Sequence, residues 1–129
     1  MVNRKKIESS DAPKAIGPYS QAVEYNNFIF TSGQIPLCPK TNTIVSKDYE
    51  AQVVQCLENL KSILNAKNLD FDSIIKLTVY TTDLSKFDII NIVFLKYFEN
   101  TYPARSVVEV SKLPKNSKIE IECVCFYEK

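Results

Sequence analysis

Between residues 48 and 66 the apolar positions fall at Ala51, Val54, Leu57, Leu60, Ile63 and Leu64, while Glu50, Glu58 and Lys61 lie off that stripe. Recurrence every three to four residues predicts an amphipathic helix packed by one face. Upstream, residues 22–35 read AVEYNNFIFTSGQI, two strand-forming arms around Asn26-Asn27. Asparagine tolerates the positive φ of a tight turn, so a hairpin is predicted. Ser32-Gly33-Gln34 interrupts the second arm, and a glycine inside a strand marks a bulge or a close approach. Asn68 follows the helix at a left-handed cap position, and Ile75 to Tyr80 alternates like a half-buried strand. Ser85 with Asp88 three residues on resembles a capping box, opening a second helix through Phe87, Ile90, Phe94, Tyr97 and Phe98 that Pro103 ends. Two strands, roughly 105–110 and 118–127, complete the chain, joined by a turn containing Pro114.

This order of elements predicts an α+β sandwich, with both helices on one face of a largely antiparallel or mixed sheet. Two helices cannot cover both faces, so self-association of the open face into a closed oligomer is expected. A chain of 129 residues, 45% hydrophobic and without repeats or linkers, is expected to be one domain spanning residues 1–129.

Charge and cysteine usage remove several functions. Sixteen Lys+Arg against fifteen Asp+Glu leave a formal charge of +1, which offers no footprint for a nucleic-acid backbone. Arg4, Lys5 and Lys6 are not followed by the apolar run of a signal peptide, and no spanning segment occurs. A cytoplasmic protein is expected, with a mitochondrial location still open. Cys38, Cys56, Cys123 and Cys125 form no C-x-x-C pair and the chain has no histidine, so neither a metal nor a cofactor is expected. Cys123 and Cys125 share one strand face and read as buried reduced thiols.

At Ala15-Ile16-Gly17-Pro18-Tyr19-Ser20-Gln21-Ala22 and Thr31-Ser32-Gly33-Gln34-Ile35-Pro36 the chain resembles the N-terminal signature of the Rid (YjgF-like) family. Pro103-Ala104-Arg105-Ser106 and the run Leu113-Pro114-Lys115 to Ile119-Glu120-Ile121-Glu122 resemble its C-terminal signature. With Ala51-Gln52, Leu57 to Leu60, Lys76 to Val79, Asp83-Leu84, Phe87 and Asn91, the resemblance spans roughly residues 11–126. It implies a chorismate-mutase-like sandwich with a mixed six-stranded sheet and two helices on one face. It also implies a homotrimer with sites in clefts between subunits, and hydrolytic deamination of 2-imino and enamine acids such as 2-iminopropanoate and 2-iminobutanoate. Protection of pyridoxal-phosphate enzymes from those intermediates follows from the same resemblance.

By the same resemblance Arg105 holds the substrate carboxylate and Glu120 positions the attacking water. Tyr19, Gly33, Phe87 and Asn91 border the pocket. Val107 stands where relatives commonly have cysteine, at a position thought to act through its main chain. The residue types suit the chemistry: a guanidinium gives a carboxylate a bidentate fork, and a carboxylate in a partly dry cleft has its pKa raised toward neutrality. On residues alone, Arg105 and Glu120 read first as an ion pair between neighbouring strands, and Tyr19 as a half-buried tyrosine with a satisfied hydroxyl. Two further functions stay open: an endoribonuclease that inhibits translation, which scattered basic residues and the missing histidine disfavour, and a chaperone-like module that holds small carboxylates without turnover.

Overall fold

The computed structural model describes residues 3–128. Six strands, β1 (Lys5–Ile7), β2 (Ala22–Tyr25), β3 (Phe28–Thr31), β4 (Ile74–Thr81), β5 (Ala104–Glu109) and β6 (Ile119–Phe126), form one sheet. Their order is β1-β2-β3-β6-β4-β5, antiparallel throughout except for the parallel pair β4 and β5. The helices α1 (Tyr49–Asn65) and α2 (Phe87–Tyr97) pack on one face, and the second supplies the crossover that a parallel β4–β5 pair requires. The mixed six-stranded sandwich expected from the sequence is therefore present.

Each predicted element has a visible local cause. Asn26 and Asn27 both take positive φ, 48° and 68°, the double left-handed turn of a two-residue hairpin, and Tyr25 faces Phe28 across it. Asp48 caps α1, its carboxylate accepting from the Ala51 N–H at 3.0 Å, a contact of about 1 kcal/mol in such caps. Asn68 has φ 59°, and the Leu69 N–H donates back to the Leu64 carbonyl.

Two readings need correction. Ser85 does not cap α2: Asp83 caps a short 3-10 turn at Leu84–Lys86, accepting from the Ser85 N–H at 2.9 Å and the Ser85 hydroxyl at 2.6 Å. The shorter reach of a carboxylate two residues upstream prevails over the i, i+3 pattern. The second helix also ends before Pro103, at Tyr97, where Phe98 leaves helical geometry and Asn100 adopts φ 51°. The strand β1 had no sequence signal, since only Ile7 of its three residues is buried.

The core lies between helices and sheet. In β6 Ile119, Ile121, Cys123 and Cys125 are buried against α1, and they alternate with Glu120, Glu122, Val124 and Phe126 on the opposite, uncovered face. Phe28 and Phe30 of β3 join Phe126 there, the Phe28 ring centroid lying 6.3 Å from that of Phe30 and 4.9 Å from that of Phe126, and all three are partly exposed. The thiols of Cys123 and Cys125 lie 3.7 Å apart, unbonded.

Candidate active site

Arg105 lies near the start of β5, in register with Leu77 of β4, whose side chain is fully buried beneath the helices. Registered residues of a parallel pair point to the same side, so Arg105 projects to the helix face. There Phe87 and Phe94 of α2 stand over it, their ring centroids 5.3 Å and 5.2 Å from the guanidinium carbon. Such contacts hold a guanidinium by its π-facing plane and leave its donor edge available. Arg105 has no ion pair and no side-chain hydrogen bond among the described residues, and desolvation draws its pKa below the usual arginine value. It remains a cation that solvent only partly compensates. Its cleft, about 370 Å³, is lined by Asn91, Phe94, Leu95, Phe98, Tyr102 and Pro103, with Leu77 at the floor. Val107, two residues along β5, faces the same side and packs against the core.

Glu120 occupies a different cleft. On β6 it pairs with Tyr80 and points to the uncovered face, where burial first, and the Glu122 carboxylate second, raise its pKa above the ordinary glutamate value. Gly33 lies directly against it: a Cβ at residue 33 would stand 1.9 Å from Glu120 Oε2. Gly33 does not have a positive φ, so glycine is required here for space rather than for backbone conformation. Tyr19, Ile16, Lys14 and Lys115 close the rest of this cleft of about 530 Å³. Tyr19 is 52% exposed, with its hydroxyl accepting from the Ile16 N–H at 3.3 Å, so it is a rim residue rather than a half-buried one.

The two halves of the N-terminal signature are bonded to each other. The Ser32 hydroxyl donates to the Ser20 carbonyl at 2.6 Å and the Ser32 N–H to the Gln21 carbonyl at 2.8 Å. The buried Gln21 amide donates to the Pro13 and Ser9 carbonyls and accepts from the Ser9 N–H. This fixes the loop that carries Tyr19. On the other wall, buried Asn59 of α1 donates to the Leu37 carbonyl at 3.0 Å, and Gln34 pairs in both directions with the Ile121 backbone. The roles of Gln21, Asn59 and Phe94 were missed in the sequence. Asn59 had a readable signal, because with Gln52 it falls seven residues apart inside the buried stripe of α1.

The site residues thus divide into two groups. Arg105, Phe87 and Asn91, with Val107 beside them, belong to the helix face, whereas Glu120, Tyr19 and Gly33 belong to the uncovered face. The strand-linking ion pair between Arg105 and Glu120 is excluded: β4 separates their strands and their side chains leave opposite faces of the sheet.

Known proteins share both this fold and this sequence. The family described as endoribonuclease L-PSP matches residues 9–126. A RutC family protein of Pyrococcus horikoshii is 47% identical over 125 residues, which cover 97% of this chain and 99% of its own length. The Arabidopsis thaliana protein named Reactive Intermediate Deaminase A, chloroplastic, is 43% identical over 95% of this chain and 66% of its own length. The crystal structure of Escherichia coli TdcF with bound serine superposes with a TM-score of 0.91 at 46% identity, covering 96% of this chain and 99% of that one. A match of this extent, in fold as in sequence, makes the chain a member of the Rid (YjgF-like) family.

Proposed function

We propose that this protein hydrolyses 2-imino acids, 2-iminopropanoate and 2-iminobutanoate among them, to 2-keto acids and ammonium. Hydrolysis would remove these reactive intermediates before they damage pyridoxal-phosphate enzymes. Membership of a family with relatives named as reactive intermediate deaminases supports the deaminase role. The observation that carries the reading is Arg105, a partly desolvated guanidinium with no anionic partner among the described residues and two aromatic rings over its plane. A group in that state is compensated by a bound carboxylate. The relative TdcF holds serine, a small carboxylate of the same class.

In this mechanism Arg105 takes the substrate carboxylate and leaves the protonated C=N carbon open to water. Glu120, its pKa raised by burial, accepts a proton from the attacking water and returns it to the nitrogen as the carbinolamine collapses. One water is consumed; the carbinolamine hydroxyl becomes the C=O as the C–N bond breaks, and the hydroxyl proton passes through Glu120 to the departing ammonia, which leaves as ammonium. Because Arg105 and Glu120 leave opposite faces of one chain, the site requires two copies, Arg105 from one and Glu120 from its neighbour. A homotrimer joined through the uncovered face bearing Phe28, Phe30 and Phe126 supplies that arrangement.

A dehydratase that generates the imine in situ, with keto-acid formation followed with and without the protein, tests the activity. We expect acceleration that needs no added metal or cofactor. Arg105→Gln should lose it by a factor corresponding to about 2–5 kcal/mol of lost charge-pair binding. Wild-type rates in a folded Arg105→Gln protein would remove Arg105 from the mechanism.

A further inference from the structure

Glu122 takes no part in the mechanism above, yet it stands beside Glu120 on the same face of the same strand. Both project from β6 to the uncovered face, two residues apart, which places their backbones about 7 Å apart along an extended strand. That spacing is set within one chain and persists when a second copy covers the face. Glu122 is half-buried, with no ion pair and no side-chain hydrogen bond among the described residues. Its cross-strand partner is Thr78, and Lys76, one step along β4 on the same face, turns away to β5, donating its Nζ to Ser106 Oγ at 2.9 Å. Two neighbours register the uncompensated charge. The Tyr80 phenol is held above its ordinary pKa by Glu122 first, and the Glu120 carboxyl is raised by Glu122 after burial.

The other titratable groups facing Glu120 are Tyr80 of β4, registered with it, Lys14 and Tyr19 of the N-terminal loop, and Lys115 of the turn Pro114–Asn116. Lys118 is turned away to the Lys47 carbonyl, and the Cys56 thiol of α1 is buried on the core side. The neighbouring copy brings its Arg105 to the same cleft. An opposite charge that close favours the carboxylate and weakens its hold on a proton, and a base so neutralised takes a proton from water poorly. We propose that Glu122 is a positioning residue for the hydrolysis: its charge opposes that of Arg105 from the neighbouring copy and keeps Glu120 able to take up and return a proton near neutral pH. The inference rests on Glu120 as the proton-transfer group and deepens that reading. Glu122 does not line the cleft, so it acts through Glu120 alone. Water expelled from between the two carboxylates on assembly strengthens their repulsion.

The pH dependence of kcat/KM for imine hydrolysis reads the proton on Glu120. Removing a like charge lowers the pKa of Glu120, so in Glu122→Gln the acid limb should move down by about one pH unit, the size of a charge–charge interaction across about 7 Å of partly wet cleft. Glu122→Asp keeps the charge and should keep the wild-type limb, and sedimentation checks that each variant assembles as the wild type does. NMR titration of the carboxyl carbon resonances needs neither turnover nor a variant that assembles. In the wild-type protein the Glu122 resonance should inflect at the midpoint of Glu120. A limb unmoved in Glu122→Gln, an equal shift in Glu122→Asp, or a Glu122 resonance blind to Glu120 would each overturn the role. Hydrolysis with an unmoved limb would sustain the deaminase reading and remove Glu122 from it. If no imine is hydrolysed, the deaminase reading falls, and the midpoint of Glu120 in Glu122→Gln, read by NMR, still decides whether Glu122 governs that proton.

Discussion

Glu120 bears a charge that its surroundings penalise, and the sign of that penalty can be measured. Its pKa is raised in the folded chain, so the native state binds its proton more tightly than the unfolded state does. Stability from this group is therefore fully present below the unfolded glutamate value of about 4.3 and is lost as pH rises through the folded value. Glu120→Gln should melt above the wild type at neutral pH, and the gap should close on acidification below that value. A gap that does not change with pH would show that the carboxylate is not under strain. Gly33 tests the same group sterically. Gly33→Ala should displace the Glu120 carboxylate, the movable end of a flexible side chain, and so reduce kcat markedly while the melting temperature shifts little. Equal losses of both would mean that residue 33 serves the fold alone.

At the scale of elements, legibility followed how local each cause was. The helix over 48–66 and the turn at Asn26-Asn27 lay each within one segment, and the structure has both, although the first half of the helix buries Gln52, Val53 and Cys56 rather than the expected Ala51 and Val54. The start of α2 was misread because two competing caps, Asp83 and Ser85, sit two residues apart, and their geometry rather than their spacing decides between them. The strand β1 was invisible because a three-residue edge strand acquires its hydrogen bonds wholly from β2, far along the chain. In the site, each residue's candidacy was legible from the signature motifs. The division into two clefts was not, because facing depends on the register of β4 with both β5 and β6, a tertiary property. The hairpin offers a quantitative check: Asn26→Val forces a β-branched residue into positive φ and should cost about 1–2 kcal/mol in denaturant unfolding, whereas Asn26→Gly should not.

For the whole molecule, the placement of Arg105 and Glu120 on opposite faces predicts complementation. Arg105→Gln and Glu120→Gln proteins should each be inactive, yet unfolding and refolding them together as an equal mixture should restore about a quarter of wild-type activity, since a shared site then draws each intact residue with even odds. Absence of any recovery, with mixed assemblies demonstrated by mass, would refute a site built from two copies. Sedimentation of a Phe30→Asp variant should give the 14.7 kDa single chain, because a carboxylate on the uncovered face opposes its burial.

The alternation of β6 also bears on how such a protein can change over generations. Ile119, Ile121, Cys123 and Cys125 serve the core and nothing else, while Glu120, Glu122, Val124 and Phe126 meet only the uncovered face. No side chain in the strand answers to both demands. Substitutions at the even-numbered positions therefore act on the uncovered face and leave the packing against α1 intact. A single inserted or deleted residue, by contrast, would exchange the two faces at once, burying carboxylates and exposing isoleucines. The strand is open to variation in its letters and closed to variation in its length.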